Sequence, residues 1–230
     1  MPHCEPVEFR PASDQSLLLY FDNKISRHAH EQVTKVLHAL ASRPIAGVRN
    51  VHPGYSSLLV DFDPLNLTHS DLETSLRQSI EQVDELEPAT PRQTEIPTCY
   101  GGEFGPDLEE VAKLCAISPE RVVELHSSVT YIVYFLGFVP GFAYLGELPE
   151  ALATPRLGSP RRTTNPGSVG IADNQTGVYP SATPGGWRVI GRTPLAMFRP
   201  DRENMSILNV GDRVRFAPIS VEQFAALQDA

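Results

Sequence analysis

Residues 165–194 read NPGSVGIADNQTGVYPSATPGGWRVIGRTP, and this stretch decides the fold of the second half of the chain. Ten of the 16 glycines lie between Gly137 and Gly191, together with eight prolines from Pro140 to Pro194. Glycine costs a helix about 1 kcal/mol per residue and proline about 3, so helices cannot dominate there. Short apolar runs at Val169–Ala172, Arg188–Ile190, Leu195–Phe198, Ser206–Leu208 and Val214–Ala217 are separated by turn signals. That texture predicts a compact β-barrel or sandwich. The sole tryptophan, Trp187, directly follows two glycines. Glycines let a ligand approach the backbone closely, which makes Ser168, Gln175, Tyr179 and Arg192 candidate polar contacts. The same glycines also suit barrel turns.

The first ninety residues have another rhythm. Leu17–Phe21 reads as a strand, and Ala29, Val33, Val36, Leu37 and Leu40 repeat at helical spacing behind Ser26, an N-cap type. Val48–Val51 and Tyr55–Phe62 flank Pro53-Gly54 as a hairpin would. Ser70 to Glu73 has the capping-box pattern, continued by Leu72, Leu76, Ile80 and Val83. A closing strand at Ile96–Tyr100 gives β-α-β-β-α-β, the ferredoxin-like split βαβ order. Glu87–Thr94 holds two prolines and no large apolar side chain, which reads as a linker. The expected organisation is α+β, with a small domain at 1–90 and a barrel domain at 91–230. Two short helices are expected at Asp107–Cys115 and Pro119–His126.

Composition narrows the function. At 230 residues, 41% hydrophobic and 20% charged, the chain is of ordinary globular type. Its net charge of −9 opposes nucleic acid or an anionic membrane as the main partner. Three cysteines without CxxC spacing indicate neither a disulfide framework nor a zinc knuckle. Ser127–Gly146 carries no formal charge over 20 residues, but Gly137, Pro140 and Gly141 interrupt it, so a buried strand followed by a loop is expected instead of a membrane span. With no secretory pattern at the N-terminus, a cytoplasmic location is expected. P-loop, GxGxxG, HExxH and EF-hand motifs are absent, and the seven scattered histidines predict no metal site.

Chemistry-bearing residue types occur in dense strings. Tyr100 to Asp107 (YGGEFGPD) sets Glu103 and Asp107 on a glycine-rich turn leading into a helix, where carboxylates orient an amine or transfer protons; Asp107 also qualifies as a helix N-cap. His126 is a candidate general base near neutral pH, or a hydrogen-bonded structural group. All nine basic residues after position 149 are arginines, which suits bidentate carboxylate or phosphate contacts, Arg156 and Arg161 among them; solvated surface pairs are the plainer alternative. Gly137 to Gly146 and Trp187 place Phe138, Phe142, Tyr144 and Trp187 on glycine- and proline-rich loops, as a partner interface would.

Together YGGEFGPDLEEVA, His126 with Tyr131, LGFVPGFAYLG, PRLGSPR, PGSVGIADNQTGVYP and PGGWRVIGRTP resemble the family that contains the B subunit of bacterial 5-oxoprolinase, the kinase A inhibitor of sporulating bacteria and the protein long labelled allophanate hydrolase subunit 1. The resemblance implies a small α+β domain followed by a cyclophilin-like β-barrel. It implies a component, inactive alone, of an ATP-dependent complex that opens 5-oxoproline to L-glutamate. The implied partners are a sister cyclophilin-like chain, the C subunit of 5-oxoprolinase, and its A subunit; ATP is used by the complex, with no nucleotide site locatable in this chain. Inhibition of a sensor histidine kinase, or partnership in urea or allophanate metabolism, is what the same resemblance implies as alternatives.

Overall fold

In Ser57–Phe62, alternate residues Leu58, Val60 and Phe62 are buried while their neighbours are not, the period of a strand with one covered face. The computed structural model describes residues 7–24, 26–83 and 90–228, and the chain divides into two units, residues 1–90 and 91–230.

The first unit runs β1 (Glu8–Ser13), β2 (Ser16–Tyr20), α1 (Arg27–Ser42), β3 (Val48–Pro53), β4 (Ser57–Phe62) and α2 (His69–Glu81). The sheet order is β1-β2-β4-β3, with every neighbouring pair antiparallel. Because β4 lies antiparallel between β2 and β3, those two run parallel and α1 is their crossover, which is the split βαβ arrangement. Leu17, Leu19, Leu58, Val60 and Phe62 meet Val33, Val36 and Leu40 of α1 and Leu72 and Leu76 of α2 in one core. Ser26 caps α1 by accepting from the Ala29 N–H. The capping box of α2 is Thr68 with Asp71, two residues before the expected Ser70 start, since this pair satisfies both backbone N–H groups reciprocally.

The closing strand differs from the sequence expectation. The edge position beside β2 is filled by β1, and the segment around Ile96–Tyr100 belongs to the second unit as β5 (Gln93–Tyr100). Ile96 is fully buried in the barrel core, and β5 pairs in parallel with a strand more than a hundred residues later. Gln93 and Thr94, read as linker, are therefore strand residues; residues 84–89 of the linker region lie outside the described residues.

The second unit continues with α3 (Leu108–Cys115), α4 (Pro119–Ser128), β6 (Tyr131–Leu136), β7 (Ala143–Gly146), a 3-10 turn at Glu150–Leu152, β8 (Arg161–Thr164), β9 (Ser168–Ala172), β10 (Gln175–Val178), β11 (Thr183–Gly185), β12 (Arg188–Arg192), β13 (Arg213–Pro218) and α5 (Val221–Gln228). Seven strands close into a barrel in the order β10-β7-β6-β13-β5-β12-β9, and β8 pairs with β11 apart from it. Leu195–Phe198 and Ser206–Leu208, expected as strands, meet only in one bridge between Phe198 and Ser206. Pro194 and Pro200 flank the first of them and withhold the N–H groups a ladder needs, yet Met197 and Leu208 still fill the barrel core. Leu108, Val111 and Ala112 of α3 and Val122 of α4 complete that core. Ser127–Gly146 holds the end of α4, β6, a loop and β7; no helix among the described residues is long and apolar enough to cross a membrane.

Candidate functional site

Strands β9 and β10 are buried on both faces. Val169, Ile171 and Val178 point into the barrel core, and Ala172 joins a second cluster with Phe142, Tyr179 and Trp187. Gly170 and Gly177 are direct cross-strand partners. A Cβ on Gly170 would meet Trp187 at 3.1 Å, and one on Gly177 would meet both the Phe142 and Trp187 rings at 3.1 Å. The glycine pair is thus a flat bed for aromatic rings. Phe142 packs edge-on against Trp187, Tyr179 and Tyr144, with centroids 5.4, 5.1 and 4.9 Å away, geometry that the ring quadrupoles favour. Phe142 and Trp187 are 2% and 6% exposed, so the expected four-residue partner face is corrected: these two are packed on their own barrel. Phe138 is different. It is 60% exposed, at φ 70°, beside a shallow depression of about 300 Å³ lined by Leu136 to Gly141.

A charged rim borders the cluster. The Gly101–Asp107 loop folds back on β12: Gly101 N–H donates to the Ile190 carbonyl at 3.1 Å, and Asp107 N–H to the Val189 carbonyl at 2.9 Å. The Asp107 carboxylate accepts from the Val189 N–H at 2.6 Å and from the Arg161 guanidinium. Although Asp107 precedes α3, its side chain makes no capping bond; it is spent on β12 and Arg161. Arg161 also donates to the Trp187 carbonyl at 3.4 Å. Arg188, buried, pairs with Glu110 at 2.8 Å and donates to the Pro155 carbonyl at 3.0 Å. Arg156 lies on the exposed side, 3.5 Å from Asp173. Burial raises the Tyr179 hydroxyl above its usual range, opposed in part by a hydrogen bond with the Trp187 backbone and by the charges of Arg156 and Arg161. Burial likewise raises Tyr144, with the charge of Arg156 opposing it.

His126 lies inside the barrel at 0% exposure. Its Nδ1 is 2.7 Å from the Tyr100 hydroxyl and its Nε2 is 2.8 Å from the Thr176 hydroxyl. Burial drives its pKa down to about 3, so the ring is neutral at ordinary pH.

The residues singled out in the sequence therefore separate. Arg161 bonds both Asp107 and the Trp187 carbonyl, Tyr144, Tyr179 and Trp187 surround Phe142, and Arg156 pairs with Asp173. Glu103 is exposed on the turn before α3. Ser168 and Gln175 are buried in β9 and β10. Arg192 turns away, donating to the Pro166 carbonyl at 2.9 Å and lying 5.9 Å from the Phe224 ring centroid. Arg188 belongs to the arginine set that the sequence offers for carboxylate contacts, but its pairing with Glu110 was not read there, nor was the link from Tyr100 through His126 to Thr176. Each lies within or beside a motif string, but a pairing across tens of residues leaves no local signal. Among the described residues no group of three His, Cys, Asp or Glu side chains is placed to hold a metal.

Residues 7–208 match the family described as carboxyltransferase domain, subdomain C and D. The closed barrel with its glycine-backed aromatic cluster is thus a carboxyltransferase-type domain. The chain is 41% identical to the 5-oxoprolinase B subunit of Bacillus subtilis (strain 168), across 94% of each chain. It is 44% identical to the 5-oxoprolinase B subunit of Escherichia coli O157:H7, across 89% of this chain and 93% of that one. The chain therefore belongs to the carboxyltransferase subdomain C and D family, among its 5-oxoprolinase B subunits. The crystal structure of TTHA0988 matches with a TM-score of 0.80 and 35% identity, covering 90% of this chain and 40% of that longer one.

Proposed function

We propose that the chain is the B subunit of an ATP-dependent 5-oxoprolinase and supplies one wall of a site that sister chains complete. The overall reaction consumes 5-oxoproline, ATP and two waters and releases glutamate, ADP and phosphate. ATP activates the lactam carbonyl oxygen, and water then opens the C–N bond. The A and C subunits of the enzyme are the partners in this reading, and the nucleotide is held outside this chain.

The observation that carries the shared site is that Asp107 and His126, two of the chain's three acid–base candidates, are already engaged. Asp107 is engaged by Arg161 and the Val189 N–H, and His126 is buried with both nitrogens bonded. What the barrel edge offers is positive charge beside aromatic surface. Arg156 and Arg161, whose charges both act on Tyr179, suit the carboxylate of 5-oxoproline or a phosphorylated form of it. The test is glutamate formation from 5-oxoproline and ATP. The purified chain alone is expected to be inactive, and turnover is expected on adding the A and C subunits. Arg156→Ala should raise KM about 10- to 100-fold in the assembled enzyme, the scale of one hydrogen bond to a charged group. Full activity from the single chain sinks the shared-site reading.

A further inference from the structure

We infer that His126 is a positioning residue: a one-way hydrogen-bond chain from Tyr100 through His126 and Thr176 to Gly170 crosses the barrel and ties the Gly101–Asp107 loop to the glycine bed under Trp187. Its functional half rests on the site proposed above; its direction does not.

The direction follows from counting protons. Thr176 has one hydroxyl proton and places it on the Gly170 carbonyl, 3.0 Å away, which can only accept. The 2.8 Å contact between Thr176 Oγ1 and His126 Nε2 must therefore be donated by Nε2–H. A neutral ring protonated there bears a lone pair on Nδ1, which accepts from the Tyr100 hydroxyl at 2.7 Å. The groups facing the ring are Tyr100 on β5, Tyr131 on β6, Thr176 on β10 and Phe216 on β13. None is charged, because burial pushes both tyrosine hydroxyls up. Phe216 packs 4.5 Å from the imidazole, and Tyr131 donates to the His126 carbonyl at 2.9 Å.

The path matters because of where it ends. In the closed ring, β10 and β5 are separated by β9 and β12 on one side and by β7, β6 and β13 on the other, so a side chain bonded to both crosses the lumen. Tyr100 immediately precedes Gly101, where the loop carrying Asp107 begins. Thr176 adjoins Gly177, and Gly170 is the partner of Gly177 in the bed for Trp187 and Phe142. One buried imidazole thus holds the loop and the aromatic cluster in register.

Nitrogen-15 NMR of the full-length chain with labelled histidine tests the direction, the His126 signals being those lost in His126→Gln. They should show the Nε2–H tautomer and no titration between about pH 5 and 9; an Nδ1–H tautomer, or a midpoint in that range, overturns the inference. Trp187, the sole tryptophan, reports on the far end. Thr176→Val should shift its emission, while Val214→Ala, a cavity elsewhere in the same core, should not; equal responses overturn the coupling. These two measurements need no other chain, so they stand or fall separately from the oxoprolinase reading. In the assembled enzyme, Tyr100→Phe and His126→Gln should each lower kcat by about 3- to 10-fold, as for one neutral hydrogen bond. The double variant should lose no more than the larger single loss, and the pH–rate profile should keep its shape. Loss of one limb of that profile in His126→Gln makes the ring the acid–base group and overturns a positioning role, as does unchanged kcat in both variants.

Discussion

Gly170 and Gly177 show how one missing Cβ organises a site. Both lie in ordinary extended strands, so their requirement is space and not a special backbone angle. An alanine at 177 would put its Cβ 2.8 Å from the Ala143 carbonyl oxygen as well as against two rings. Gly177→Ala should therefore cost about 1–3 kcal/mol through overpacking, read as a lowered Tm with altered Trp187 emission. Gly158→Ala, with nothing within 4 Å of the added Cβ, should stay within about 0.5 kcal/mol of wild type. A Gly177→Ala protein as stable as that control removes the ring-bed account. The glycines stood out in the sequence, but which atoms press on them did not, because Phe142 and Trp187 arrive from other segments.

At the scale of elements, the Gly101–Asp107 loop is held to β12 by a two-way pairing of Asp107 with Val189, and Gly105 is what lets the loop come that close. A Cβ there would lie 2.0 Å from the Ile190 carbonyl oxygen. Asp107→Ala leaves the Val189 N–H and the Arg161 guanidinium without their acceptor. Arg161 is partly exposed and so partly rescued by water, which puts the expected cost at about 2 kcal/mol, below the range for a fully buried pair. Asp107→Asn keeps an acceptor for Val189 and should cost about half as much. Chemical denaturation of both variants checks the order, and equal costs for the two would show that the lost charge facing Arg161, not the loop pairing, dominates. Helices α1 and α4 were legible because their caps and apolar spacing are local, and α3 through its spacing alone, since Asp107 does not cap it. Strand β1 was not: its single buried-side apolar residue, Phe9, and its Pro11 make no strand pattern, and an edge position tolerates both.

For the whole chain, residues 1–149 carry 10 basic and 21 acidic side chains and residues 150–230 carry 9 and 7, so the acidity lies before the motif-rich half. We propose that units 1–90 and 91–230 fold independently. Limited digestion with a Glu-specific protease should cut first at Glu85 or Glu87 and release a C-terminal fragment that keeps its cooperative melt; an unfolded fragment, or resistance throughout that segment, contradicts independent folding. By itself the sequence determined helices α1 to α4 and most strands, though not α5, the β-rich character of the second half and, through its motif strings, the family, because periodicity, capping and turn chemistry act within a few residues of one another. Only the tertiary structure decided that β1 and not β5 completes the first sheet, that β5 joins β13 across the chain, that Phe142 and Trp187 are core, and that His126 sits neutral within the barrel. Each of those outcomes depends on which distant surfaces are buried together, and no local window contains both partners.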